Sequence, residues 1–82
     1  MPNFDSTYEV FVLEGERWNV KHVSRNQSDA MATAVELSRR IGIQGVRVIK
    51  DFHDRARGLS FEKVIFEQLR EKAANRVRAS RG

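Results

Sequence analysis

The sequence predicts an α+β domain: a four-stranded sheet, antiparallel or mixed, in the element order β-β-α-β-β-α. Three observations carry this. Residues 7–13 alternate with a period of two, residues 30–41 repeat with the 3.6 period of a helix, and residues 46–66 return to strand-like alternation around a turn closed by a glycine.

In the first strand, residues 7–13, Tyr8, Val10 and Val12 share one side and Phe11 and Leu13 the other. Glu14-Gly15-Glu16 follows, and Gly15 can take the positive φ of a tight hairpin. Residues 17–23 form the return strand, with Trp18, Val20 and His22 expected on one face. Asn26 or Ser28 is placed to cap the helix, and Asp29 then lies in its first turn, where a carboxylate favours the helix dipole. Ala30, Ala34, Leu37 and Ile41 make the apolar stripe, and Gly42 is placed to end the helix. The third strand is expected over residues 46–53 and the fourth over residues 59–66, joined by Asp54-Arg55-Ala56-Arg57-Gly58. A last helix of good formers is expected from Glu67 to about Ala79, with Leu69, Ala73 and Val77 on one side. The domain layout is thus a flexible arm over residues 1–6, a ββαββ unit over 7–67, and a basic C-terminal helix and tail over 68–82.

Two strand orders fit. In the preferred one, 1-2-4-3, the fourth strand lies between the second and third, both helices lie on one face, and the chain reads as a permuted ferredoxin-like fold. The alternative is 2-1-3-4. Tyr8, Val10, Val12, Trp18, Val20, Val46 and Val48 are the core candidates. The opposite face retains Phe11, Leu13, Val23, Ile49, Val64 and Phe66, more apolar surface than a solvated sheet face carries.

Composition limits the function classes. Eighty-two residues, 40% apolar and 32% charged, suit one small soluble domain. No apolar run approaches the roughly 20 residues of a membrane helix, and the opening residues lack a secretory pattern, so a cytoplasmic protein without membrane partners is expected. The absence of cysteine excludes disulfides, thiolate metal sites and cysteine nucleophiles. The net charge of +4 is concentrated. Residues 1–67 carry ten basic and ten acidic side chains, whereas residues 68–82 carry Arg70, Lys72, Arg76, Arg78 and Arg81 against Glu71 alone. Such a segment attracts phosphate or acidic partners, so Arg70, Lys72, Arg76 and Arg78 are the candidate nucleic-acid contacts. They also suit a solvated helix end.

Catalytic signals are sparse. Asp51-Phe52-His53-Asp54 is the one local acid–base cluster, and Asp51 and His53 fall on the same side of a strand. A metal site needs three or four ligands, and no other histidine is near in sequence. No phosphate-binding glycine loop and no nucleophile elbow occurs, so no cofactor, metal, catalytic residue or small-molecule ligand is expected. The stretch Arg57-Gly58-Leu59-Ser60-Phe61-Glu62-Lys63-Val64 overlays an RNA-recognition strand signature at Arg57, Gly58 and Phe61. It lacks the signature's other stacking rings at Leu59 and Val64, and reads as a turn followed by a strand.

The stretch from Tyr8 to Trp18, the alanine-rich helix and Gly45-Val46-Arg47-Val48-Ile49-Lys50 together resemble small bacterial domains of unassigned activity. In those a G-x-W hairpin precedes a helix and a G-V-R-V strand follows it. The resemblance implies a domain serving a larger assembly, and it brings no functional residues. The expected function is therefore non-catalytic binding of protein partners, including self-association through Phe11, Leu13, Ile49 and Val64. Nucleic-acid binding by the basic C-terminal helix is the alternative.

Overall fold

The computed structural model describes residues 4–70. Among these, β1 (Phe4–Glu14) and β2 (Arg17–Ser24) form a hairpin, α1 (Gln27–Ser38) follows, and β3 (Ile43–Asp54) and β4 (Leu59–Leu69) form a second hairpin. The four strands make one antiparallel sheet in the order β2-β1-β3-β4. This corrects the preferred 1-2-4-3 order and its permuted ferredoxin-like placement: β4 is an outer strand. The two hairpins join through their first strands, β1 and β3, which pair along nearly their whole length from Phe4↔Asp54 to Glu14↔Ile43.

Local chemistry explains each connection. Gly15 and Gly58 both have φ near +65°, the left-handed conformation that their turns require (φ 64 and 68). Asp54 is buried, and its Oδ1 accepts from the backbone N–H groups of Ala56 and Arg57 at 3.1 and 3.3 Å, folding the second turn onto its own side chain. Asn26 caps α1: its Oδ1 accepts from the Asp29 N–H at 3.1 Å. His22 Nε2 lies 2.8 Å from Asp29 Oδ2 and ties the first turn of the helix back to β2.

The core lies between α1 and one face of the sheet. Ala30, Ala34 and Leu37 of the helix meet Tyr8, Val10, Val12, Val46 and Val48, with Ile43 closing one end and Met31, Ile65 and Phe66 packed at its margin. Alanines at the helix contact let it sit close over valines that are fully buried. The helix is shorter than its sequence pattern. It ends at Ser38 with Arg39 as the C-cap, so Ile41 leaves the stripe and is almost wholly exposed.

Other bounds move as well. Phe4 to Ser6, expected in a flexible arm, belong to β1. β4 continues to Leu69 through the residues expected to begin the last helix, because Leu69 pairs with Gly45 and the Arg70 N–H donates to the Gln44 carbonyl at 2.7 Å. The rest of that expected helix lies outside the described residues.

Three bulges reassign side chains, and one of them, between β1 and β3, leaves Gln44 without an opposite residue and sets Ile43 against Glu14 on the helix side. The ladder between β1 and β2 shifts at Val10/Phe11, where Val10 pairs with His22 and Phe11 with Val20, leaving Lys21 without an opposite residue. Simple alternation would put Val20 on the helix side with His22. The extra residue instead moves Val20 and Trp18 to the far face, opposite Phe11 and Leu13. This corrects their expected place in the core, and Val20 is half exposed. The third bulge lies in β4, where Val48 pairs with Phe66 and Ile49 with Val64, so Ile65 is the extra residue. Phe66 thereby lies on the helix side, against the core, and not on the second face where alternation places it.

Candidate functional site

The face of the sheet turned away from α1 is set by register. Cross-strand partners share a face, so Leu13 stands with Trp18 and Gly45, Phe11 with Val20 and Arg47, Glu9 with Val23 and Ile49, and Ile49 with Val64. Leu69 joins this face beside Gly45. The sequence candidates Phe11, Leu13, Ile49 and Val64 are therefore brought together on one surface, with Phe11, Leu13 and Ile49 half-buried by their neighbours and Val64 exposed. The bulge in β2 adds Trp18 and Val20 to it, which sequence alternation could not find.

This apolar area has a charged seam. The Arg47 guanidinium lies over the Trp18 ring, 4.0 Å from its centroid, and its Nε is 3.4 Å from Glu67 Oε1. Arg47 thus uses its planar group twice, stacked on an indole and paired with a carboxylate. Gly45 holds the end of the face closed. A Cβ there would meet Leu69 Cδ2 at 2.7 Å and the Gln68 carbonyl oxygen at 3.2 Å, so a larger residue would push the exposed Leu69 side chain away from Trp18.

Farther along the same face the chemistry becomes acidic. Glu9, Asp51 and Glu62 bring one carboxylate oxygen each within 4.8 Å of one another. Exposed carboxylates commonly gather this way, and the cluster alone assigns no metal. Asp51 and His53 do share a side, with His53 Nε2 3.9 Å from Asp51 Oδ2, beyond hydrogen-bond reach. Sequence reading missed the third member of this row. Ser60, opposite His53 in the ladder, has its Oγ 2.7 Å from His53 Nδ1. A serine, a histidine and an aspartate therefore lie in one line, but on an open sheet face, with His53 and Ser60 both exposed. Electrostatic stabilisation of an oxyanion is strongest in a water-excluded site, and this row is open to solvent. His22 pairs with Asp29 on the helix side, so the two histidines lie on opposite faces.

A small pocket of ≈ 90 Å³ lies where β4 ends, lined by Ser38, Ile43, Gln44, Gly45, Gln68 and Arg70. It is far below the roughly 300 Å³ that a small-molecule site needs. The Arg70 side chain closes it, donating to the Ser38 carbonyl at 2.6 Å. Of the four basic candidates, Arg70 is thus occupied in holding β4 to the end of α1, and Lys72, Arg76 and Arg78 lie outside the described residues. Among the described residues no helix is long and apolar enough to cross a membrane. No family model, curated protein or solved structure gives a significant match to the chain.

Proposed function

We propose that this chain is a non-catalytic interaction domain that associates with a second copy of itself through the sheet face opposite α1. The observation that carries the reading is the composition of that face: Phe11, Leu13, Trp18, Val20, Ile49 and Val64 converge there across all four strands, with no helix of the described residues packed over them. An antiparallel sheet that presents one face to water is polar on it.

Size and charge favour a second copy as the occupant. The 11, 8, 12 and 11 residues of the four strands, at about 3.4 Å by 4.8 Å each, give a footprint of roughly 700 Å². A stable interface takes about 800 Å² from each partner. The acidic cluster Glu9, Asp51 and Glu62 on the face and the basic excess of residues 68–82 also give the chain charges of both signs to offer a second copy.

Light scattering over a range of concentrations tests it. The wild type is expected to exceed the 9.5 kDa of one chain, and Ile49→Arg, which sets a cation in the centre of the face, is expected to return it to one chain without loss of helical circular dichroism. A wild type that keeps the mass of one chain at every concentration, or a folded Ile49→Arg variant of unchanged mass, would refute the proposal.

A further inference from the structure

The opposite face holds a second surface, beyond the part that α1 covers. Past the Tyr8 row the helix has ended, and β3 and β4 present two consecutive cross-strand pairs on the helix side: Lys50↔Lys63, then Phe52↔Phe61. Two features set this surface apart. Like charges placed directly opposite destabilise a sheet, yet two lysines are ladder partners here. Beside them Phe61 leaves 57% of its surface in water. The Lys50 ammonium lies 4.6 Å from the centroid of Phe52, so cation and rings form one continuous platform.

The carboxylates are sorted away from it. Glu9, Asp51 and Glu62 belong to the other face by the same ladders. Asp54, on the next row of the platform side, is buried and engaged by the backbone of its own turn and by Arg57, 3.7 Å away. The distal half of the sheet is therefore cationic and aromatic on one side and anionic on the other. The RNA-recognition signature that β4 matches in part lacks a second stacking ring within its own strand. The neighbouring strand supplies one, since Phe52 stands directly across from Phe61.

We infer that this platform binds single-stranded nucleic acid, with a base stacked at Phe61, Phe52 extending the apolar surface beside it, and phosphates at Lys50 and Lys63. The exposed Phe61 ring, widened by the half-buried Phe52 beside it, selects an unstacked base, which a duplex does not offer, and flanking cations supply the sequence-independent attraction to the backbone. The site lies on the face opposite to the self-association surface, so the two inferences stand or fall separately.

The test is fluorescence anisotropy of labelled oligo(dT) and oligo(U) titrated with the full chain at low and moderate salt. Both strands are expected to bind better than a duplex of equal length. Phe61→Ala, at an exposed position that leaves the fold intact by circular dichroism, is expected to weaken binding roughly 5- to 100-fold. Lys63→Gln is expected to lower the slope of log affinity against log salt by about 0.7, the value for one phosphate contact on a single strand. Ile49→Arg is expected to bind as the wild type does. Preference between the two oligomers would tell whether a 2′-hydroxyl is read. The inference is overturned by absence of binding at low salt, by equal affinity for the duplex, or by binding indifferent to Phe61→Ala and Lys63→Gln but abolished when residues 71–82 are removed.

Discussion

Deleting a residue from the middle of a β-strand ordinarily turns every side chain beyond it to the wrong face. Deleting Lys21 is expected to leave both faces in place at a small cost in stability. Lys21 is the extra residue of the β2 bulge: His22 already pairs with Val10 and Val20 with Phe11. Without Lys21 these two become adjacent in sequence, alternate normally, and keep both faces as they are. The deletion removes one ion pair, from Lys21 Nζ to Glu14 Oε1 at 3.4 Å, between side chains 44% and 41% exposed. Such a pair contributes about 0.2–1 kcal/mol. At about 4–8 °C per kcal/mol for a domain of this size, the melting temperature should fall by no more than about 8 °C. Deleting Val12 supplies the contrast. It lies in an interior strand, paired with Asn19 on one side and Val46 on the other, and is not the extra residue of any bulge, so its removal carries Val10 and Tyr8 out of the core. At about 1.5–3 kcal/mol for each buried side chain, that approaches the whole stability of a small domain. Thermal unfolding followed by circular dichroism reads the first quantity, and the emission of Trp18, the single tryptophan, reports whether the far face is preserved. A Lys21 deletion as damaging as the Val12 deletion, or one that shifts Trp18 emission, would refute the assignment of faces.

Asn26→Ala removes the side chain that caps α1 and is expected to cost about 1 kcal/mol, with most of it recovered by Asn26→Ser; equal melting of wild type and Asn26→Ala would contradict this. The Asp29 carboxyl is held below its ordinary value of 3.8 by the hydrogen bond with His22 and then by Ser24. Its folded value is lower than its unfolded one, so its contribution is complete above the unfolded value and disappears as pH falls through the folded one. Melting temperature should therefore decline more steeply in acid for the wild type than for Asp29→Asn, and identical acid limbs would exclude the contact.

Much of the hairpin and helix chemistry was legible in the sequence. Gly15 and Gly58 close their turns, Asn26 caps α1, and Ala30, Ala34 and Leu37 face the valines that alternation puts in the core. Phe11, Leu13, Ile49 and Val64 share a face because the period of two holds along β1 and β3. Relations between strands were not legible. Trp18 and Val20 change face because one unpaired residue in β2 breaks the alternation, and nothing in Asn19-Val20-Lys21-His22 marks it. The strand order was open because both orders satisfy the same burial pattern, and pairing of β1 with β3 over their full length decides it. Ser60 and Phe52 were invisible as partners of His53 and Phe61, since each pair meets only across a ladder.

Two of the three bulges have their extra residue on an outer strand, Lys21 on β2 and Ile65 on β4. An open sheet has two unpaired edges, and a long straight edge is a template on which any extended chain can grow. Here each edge is broken by a kink, β2 into residues 17–20 and 22–24, β4 into residues 59–64 and 66–69. A foreign strand that follows either edge loses its ladder at the kink. The same insertions that sort side chains between the two faces thus guard the flanks of the sheet, steering contacts with other molecules onto its broad surfaces and away from fibre-like growth.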